Sequence, residues 1–318
     1  MNRIEQAYQL VDRGEAQAAV GLLEDGGHAG DADCWVELAT WFLGGQIVPR
    51  DLSKSRECFR LASEAGHQQA RSIHIALLAN GTGGPPDWQG AVSLLSDLAD
   101  TNKDAADELA LLNLMSVDDA GNPTLIPSPE RLSDAPEVSL FRQLLTSEEC
   151  RYLIASAEPR FQPSVIVDPA SGQLRPHPVR TSDNAFFPWI DESPAIHAIN
   201  RRLAAASRTE VHSGEPLQVL RYRPGQEYRP HHDALPHTDN QRILTMLVYL
   251  NDQFDGGETL FLSTGLKVKG GVGDALLFRN ADADGRPDPM AQHAGLPVTA
   301  GEKLLASRWI HEKRFGPL

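Results

Sequence analysis

The chain has 318 residues, of which 41% are hydrophobic, so it is long enough to bury two globular cores. Lys and Arg number 29 against 43 Asp and Glu, and the formal net charge of −14 repels the phosphate backbone of nucleic acids. We therefore predict a globular protein of two domains without a nucleic-acid partner.

The three cysteines, Cys34, Cys58 and Cys150, include no CxxC pair, which argues against a disulfide framework and against a cysteine-ligated zinc site. Any metal site then depends on histidine and carboxylate ligands.

The sequence contains no apolar run of about eighteen residues or more, and charges interrupt every turn of the N-terminal segment. We therefore predict a cytoplasmic protein without a membrane segment.

The first third of the chain repeats itself with a helical-repeat period. Gly45 and Asp51 return 36 residues later as Gly81 and Asp87. The segments "CWVELATWFLGG" and "KSRECFRLASEAGH" carry apolar residues at i, i+3, i+4 spacing, which predicts paired antiparallel helices. Residues 1–116 also hold 8 basic and 17 acidic residues and thus most of the negative charge. They are predicted to form a separate helical repeat domain.

Residues 117–136 contain four prolines and several Asp, Ser and Asn, so they are interpreted as a linker or an irregular docking segment. A second domain, residues 137–318, follows. "TSEECRYLIASAE" predicts a helix that begins at Thr146 or Ser147. Beyond residue 210, short apolar runs bounded by Gly, Pro, Asn and Asp predict an all-β sandwich or barrel over about residues 215–313. These runs are "LQVLRYR", "RILTMLVYLN", "ETLFLS", "GDALLFRN", "HAGLPV" and "KLLASRWIH".

Two His-x-Asp pairs occur, and their positions distinguish them. His231 and Asp233 follow a predicted strand, where residues two apart project to one face and can converge on a cation. His237 and Asp239 lie beyond a proline and are interpreted as a solvated turn. His293, at the start of a later strand, is the best candidate for a third ligand.

A lysine also stands out in the last predicted strand. Lys303 precedes the apolar residues of "LLAS", and a lysine buried there without a partner would be costly. The sequence therefore predicts an anion beside it.

The order of all these residues resembles the prolyl 4-hydroxylase family of iron(II)- and 2-oxoglutarate-dependent dioxygenases. The matching segments are "LQVLRYRPGQEYRPHHD", "QRILTMLVYLN", "GGETLF", "VKGGVGDALLFRN", "DGRPDPMAQHAGLPVTAGEKLLASRWIH" and, upstream, "RTSDNAFF".

The resemblance implies an α+β multidomain protein whose C-terminal domain is a double-stranded β-helix, or jelly roll, with flanking helices. It also implies two cofactors, Fe(II) and the cosubstrate 2-oxoglutarate, together with L-ascorbate. The residue roles that it implies fall into four groups, namely iron ligands (His231, Asp233, His293), the partner of the distal carboxylate of 2-oxoglutarate (Lys303), further cosubstrate contacts (Tyr222, Thr259, Trp309) and the substrate entrance (Arg180). A structural salt bridge is the alternative for Arg180, and ordinary core positions are the alternatives for Tyr222, Thr259 and Trp309.

The N-terminal repeats resemble the tetratricopeptide-like repeats called Sel-one-like, with "LASEAGHQQA" as the most characteristic stretch. Such repeats can offer a concave surface to a protein partner. We therefore expect an oxidoreductase that hydroxylates a prolyl residue in a peptide or protein and converts 2-oxoglutarate and O2 to succinate and CO2. Residues 165–180 are predicted to be a loop that closes over the substrate. The alternatives are hydroxylation of another residue or a free amino acid, a cupin-type metal enzyme without 2-oxoglutarate, and a metal-free adaptor.

Overall fold

The computed structural model describes residues 2–167, 174–176, 179–282 and 284–316. The predicted substrate loop, residues 165–180, lies partly outside these ranges. Among its described residues, Val165–Val167 and Leu174–Pro176 pair as two short antiparallel strands, and Arg180 forms an isolated bridge with Tyr228. Within the described ranges the chain forms nine α-helices, seven of them before residue 113. The helices are α1 (Arg3–Asp12), α2 (Ala16–His28), α3 (Ala32–Gly44), α4 (Leu52–Glu64), α5 (Gln68–Asn80), α6 (Trp88–Ala99), α7 (Lys103–Leu112), α8 (Ser147–Ala157) and α9 (Pro194–Ser207).

The repeated residues occupy the ends of the repeated helices. Gly45 and Gly81 follow α3 and α5 with φ of 76° and 75°, a left-handed conformation that favours glycine. Asp51 and Asp87 precede α4 and α6, and their side chains accept hydrogen bonds from the backbone N–H groups of Lys54 and Gly90. The period in the sequence therefore arises from helix start and stop signals. The Sel-one-like assignment itself stays a prediction.

The second half of the chain is mainly antiparallel sheet. The strands are β1 (Pro129–Asp134), β2 (Glu137–Phe141), β3 (Gln162–Pro163), β4 (Val165–Val167), β5 (Leu174–Pro176), β6 (Asp183–Phe187), β7 (Leu217–Tyr222), β8 (Tyr228–His231), β9 (Arg242–Tyr249), β10 (Phe254–Gly256), β11 (Thr259–Phe261), β12 (Leu266–Val268), β13 (Ala275–Arg279), β14 (His293–Gly295), β15 (Val298–Gly301) and β16 (Lys303–His311). Each of the six predicted apolar runs contains one of them, and α8 begins after Thr146, whose side chain forms a capping box with Glu149.

Two sheets position the candidate site. The larger has the order β1-β2-β13-β9-β16-β7-β6-β3, and the smaller has the order β12-β11-β14-β8. Apolar side chains of both sheets pack in one cluster, because alternate residues of each strand point toward the facing sheet. Tyr249, Phe278 and Leu305 come from the larger sheet, and Phe261 and Val268 come from the smaller one. The predicted α+β fold with a double-stranded β-helix is confirmed.

The helical repeats and the sheet domain share a hydrophobic core. Leu98 of α6 and Leu112 of α7 belong to the same buried cluster as Leu153 of α8 and Ile199 of α9. Polar contacts cross the same boundary, since the Asn80 amide donates to the Trp189 carbonyl at 2.7 Å. The two parts are therefore packed together through apolar surface, although the boundaries at 116 and 136 stay predictions.

One expectation for the predicted linker needs correction. Residues 117–136 end in β1, which pairs with β2 at the edge of the larger sheet, so this part is regular structure. A proline-containing strand is tolerated at a sheet edge, because one side of it needs no ladder hydrogen bonds.

None of the helices in the described part of the chain has the length and hydrophobicity needed to cross a bilayer.

Candidate metal and cosubstrate site

The smaller sheet brings the three predicted metal ligands together. His231 ends β8 and His293 begins β14, and the two residues face each other in the antiparallel register. Asp233 lies two residues beyond β8. Its two carboxylate oxygens stand 3.5 Å from His231 Nε2 and 3.6 Å from His293 Nε2, and the three ligand atoms all lie within 4.8 Å of one another. Two imidazoles and one carboxylate at this spacing can hold a divalent cation.

Backbone carbonyls orient both imidazole rings. His231 Nδ1 lies 2.8 Å from the Arg229 carbonyl oxygen, and His293 Nδ1 lies 3.0 Å from the Ala291 carbonyl oxygen. A carbonyl only accepts, so Nδ1 carries the proton and Nε2 presents its lone pair toward Asp233. Burial also lowers the pKa of His293 to about 4, which favours the neutral, ligating form of the ring.

Asp233 remains ionised although its side chain is buried. Burial opposes the charged form, but the interactions with His293, His231 and Thr245 outweigh it and leave the pKa of Asp233 below its usual value. Thr245 Oγ1 lies 2.7 Å from Asp233 Oδ2. The donor set therefore combines two neutral imidazoles with one anionic oxygen ligand, which suits Fe(II) with open positions for further ligands.

Lys303 lies in the same pocket. It begins β16 opposite Tyr222 of β7, it is 3% exposed, and its Nζ donates to the Gly257 carbonyl at 2.5 Å. Among the residues that the structure describes, no carboxylate forms an ion pair with it. Burial lowers the pKa of Lys303 to about 7. An ammonium group buried in this way suits an anionic ligand, as the sequence predicts.

The other predicted cosubstrate residues line this pocket too. Tyr222, Thr259 and Trp309 share it with Lys303 and the three candidate ligands. The Lys303 ammonium lies 5.5 Å from the centre of the Tyr222 ring, and the Thr259 hydroxyl lies 3.5 Å from the Tyr249 hydroxyl. Tyr222 and Thr259 therefore line the same pocket as the lysine.

Arg180 lies close to Tyr228, a residue that lines the pocket. Its backbone forms an isolated bridge with Tyr228, its guanidinium lies 5.8 Å from the Tyr228 ring centre, and Nη1 donates to Gln218 at 3.4 Å. The second His-x-Asp pair is exposed at both His237 and Asp239, in agreement with the interpretation as a solvated turn.

Three residues of the site were not predicted from the sequence. Tyr228 stacks on His231 with ring centres 3.4 Å apart, and Thr245 and Asn280 form a hydrogen-bonded chain to Asp233. The one sequence signal was Thr245, a polar residue in the otherwise apolar "ILTMLVY". Asn280 ends the matching segment "VKGGVGDALLFRN", but that segment assigns it no role, and only the pairing of β13 with β9 places it beside Thr245.

Comparison with known proteins agrees with this geometry. Residues 217–311 match the 2OG-Fe(II) oxygenase superfamily. The chain is 40% identical over 204 residues to "Prolyl 4-hydroxylase 1" of Arabidopsis thaliana, and the match covers 58% of this chain and 72% of that protein. It is 36% identical over 206 residues to "Probable prolyl 4-hydroxylase 3" of the same plant, with 57% and 71% covered.

A solved structure is also similar, the 2OG complex of the viral collagen prolyl hydroxylase from Paramecium bursaria Chlorella virus-1. It is 29% identical, the match covers 57% of this chain and 98% of that one, and the TM-score is 0.44. Residues 217–311, which match the 2OG-Fe(II) oxygenase superfamily, contain the His-Asp-His cluster and the buried lysine, whereas the N-terminal helices precede this range. The chain belongs to the prolyl 4-hydroxylase family of 2-oxoglutarate- and Fe(II)-dependent dioxygenases.

Proposed function

We propose that the protein hydroxylates a prolyl residue in a peptide or protein substrate, with Fe(II) and 2-oxoglutarate. The observation that carries the proposal is the convergence of His231, Asp233 and His293 in the pocket that also contains the buried Lys303. The relatives named prolyl 4-hydroxylases support the choice of a prolyl target.

Each group of the pocket has a distinct part in this reaction. His231, Asp233 and His293 would hold the iron through three ligand atoms, which leaves positions for the cosubstrate and for dioxygen. Bound iron and 2-oxoglutarate supply the oxidative chemistry, in which one oxygen atom of O2 enters succinate and the other enters the hydroxylated product. The protein binds, orients and shields these reactants.

Lys303 would bind the distal carboxylate of 2-oxoglutarate and fix the end of that molecule farther from the iron. The ammonium is desolvated before the ligand arrives, so pairing with a carboxylate offsets a cost that the folded protein already bears. Tyr222 and Thr259 would donate hydroxyl hydrogen bonds to the same carboxylate, and Trp309 would form part of the wall. A cupin-type reaction without 2-oxoglutarate would leave this lysine without its ligand.

Several finer assignments belong to the same proposal. L-Ascorbate would serve as the reductant that maintains the iron as Fe(II), as the family resemblance implies. The helical repeats would bind a protein partner or a distant part of the substrate, and the chain would act in the cytoplasm. Arg180, beside Tyr228 at the edge of the pocket, would contact the incoming peptide.

The test combines succinate release with mass spectrometry of proline-containing peptides after incubation with Fe(II), 2-oxoglutarate and O2. We expect succinate and a peptide that has gained one oxygen atom on proline. Asp233→Ala should abolish both products, whereas Asp239→Ala, which alters the exposed His-x-Asp pair, should retain them. Succinate without a hydroxylated peptide would refute the prolyl substrate but retain the oxygenase. Metal-free wild-type protein that takes up no Fe(II) would favour the adaptor.

A further inference from the structure

A buried hydrogen-bonded chain leads from the candidate ligand Asp233 through Thr245 of the larger sheet to Asn280, the residue after β13. Thr245, in the middle of β9, donates from Oγ1 to Asp233 Oδ2 at 2.7 Å. Asn280, directly after β13, donates from Nδ2 to Thr245 Oγ1 at 2.8 Å. Both Thr245 and Asn280 are 1% exposed, so water does not compete for these contacts.

The direction of the two bonds follows from the chemistry of the groups. A hydroxyl has one hydrogen, and a carboxylate only accepts, so Thr245 must point its hydrogen at Asp233. The Asn280 amide occupies an acceptor position of the same hydroxyl and thereby leaves that hydrogen directed toward the carboxylate. Adjacent strands hold both groups in place, because Phe278 of β13 pairs with Thr245 of β9.

The Asn280 side chain uses its amide N–H as a donor but leaves its amide oxygen without a donor in the described residues. Its Oδ1 is buried and has no hydrogen-bond partner in the described part of the chain. A buried oxygen without a partner is costly. Within the described residues, the Asn280 side chain is held by the hydrogen bond that it donates to the Thr245 hydroxyl.

We infer that Thr245, oriented by Asn280, is a positioning residue for the metal site. The inference rests on the proposed function, in which Asp233 is a ligand. The Thr245 hydrogen bond engages Oδ2 and fixes the rotation of the carboxylate, so that Asp233 stands ready between His231 and His293 before a metal binds. Partners of this kind behind a metal ligand are typically worth about 10- to 100-fold in metal affinity.

The test measures the affinity of the metal-free protein for Mn(II), a redox-stable substitute for Fe(II), so activity is not needed. Thr245→Val keeps the shape and removes the hydroxyl, and we expect the Kd for Mn(II) to rise about 10- to 100-fold. Thr245→Ser keeps the hydroxyl and should restore the affinity to within about threefold of wild type. Asn280→Leu, which frees the Thr245 hydroxyl to rotate, should give an intermediate loss.

Thr259→Val is the matched control for metal binding, because it makes the same substitution in the same pocket at a hydroxyl that faces Tyr249 rather than Asp233. Thermal unfolding of each metal-free variant shows whether it folds. A folded Thr245→Val protein that binds Mn(II) as tightly as wild type refutes the positioning role. Equal losses in Thr245→Val and Thr245→Ser also refute it, since the hydroxyl would then be irrelevant. Wild-type protein that binds no Mn(II) refutes the metal site itself.

Discussion

Replacement of Lys303 by methionine should stabilise the metal-free protein and abolish cosubstrate binding. The folded protein lowers the pKa of Lys303 from its ordinary value of 10.5 to about 7, chiefly by burial. That lowering corresponds to roughly 5 kcal/mol of unfolding free energy lost below pH 7. Methionine removes this cost but leaves the Gly257 carbonyl without its donor, which costs about 1–3 kcal/mol. The net gain is about 2–4 kcal/mol.

The gain should depend on pH in a definite direction. Because the folded-state pKa lies below the unfolded one, the unfolded chain binds more protons between pH 7 and 10.5, and wild-type stability rises with pH across that window. Lys303→Met lacks this dependence. The increase in unfolding free energy of Lys303→Met over wild type should therefore be largest below pH 7 and about 2–3 kcal/mol smaller at pH 9.

Urea unfolding of the metal-free proteins, followed by tryptophan fluorescence below pH 7 and at pH 9, measures the stability gain and its dependence on pH. Lys269→Met is the matched control, because Lys269 Nζ also donates to a backbone carbonyl, that of Phe254 at 2.5 Å, but its side chain is exposed. Lys269→Met should not increase the free energy of unfolding. Calorimetric titration of the Mn(II)-loaded protein should show 2-oxoglutarate binding weakened by about 2–5 kcal/mol in Lys303→Met. A variant no more stable than wild type at low pH, or one that retains cosubstrate affinity, would contradict the reasoning.

Two further predictions test the cosubstrate pocket and the shared core. Thr259→Val should raise the KM for 2-oxoglutarate by about 5- to 10-fold, which corresponds to the loss of one neutral hydrogen bond, with little change in kcat. Steady-state succinate assays measure both constants. An unchanged KM would show that Thr259 does not contact the cosubstrate. Leu98→Ala truncates a side chain that is 3% exposed in the core shared by the helical repeats and the sheet domain, and should cost about 2–5 kcal/mol in urea unfolding. If only the helical signal shifted while the sheet domain unfolded as in wild type, the two parts would not share one cooperative core.

Local patterns in the sequence were enough to predict much of this protein. The period of 36 residues located helix ends at Gly45, Asp51, Gly81 and Asp87, because start and stop signals act within one helical turn. Short apolar runs bounded by Gly, Pro, Asn and Asp identified β7, β9, β11, β13, β14 and β16. The position of His231 and Asp233 after a strand distinguished them from the second His-x-Asp pair, since side chains two residues apart on a strand share a face.

What the sequence left open depends on which strands become neighbours. His231 and His293 are 62 residues apart in the chain, and only the pairing of β8 with β14 sets their imidazoles around Asp233. The strand β1 was hidden in a proline-rich segment, because an edge strand tolerates residues that a central strand excludes. The common core of the repeats and the oxygenase domain was not predicted either, as apolar periodicity shows that a face is buried but not what covers it. The chain of hydrogen bonds from Asn280 through Thr245 to Asp233 joins three segments that no motif connects, so tertiary structure alone determined it.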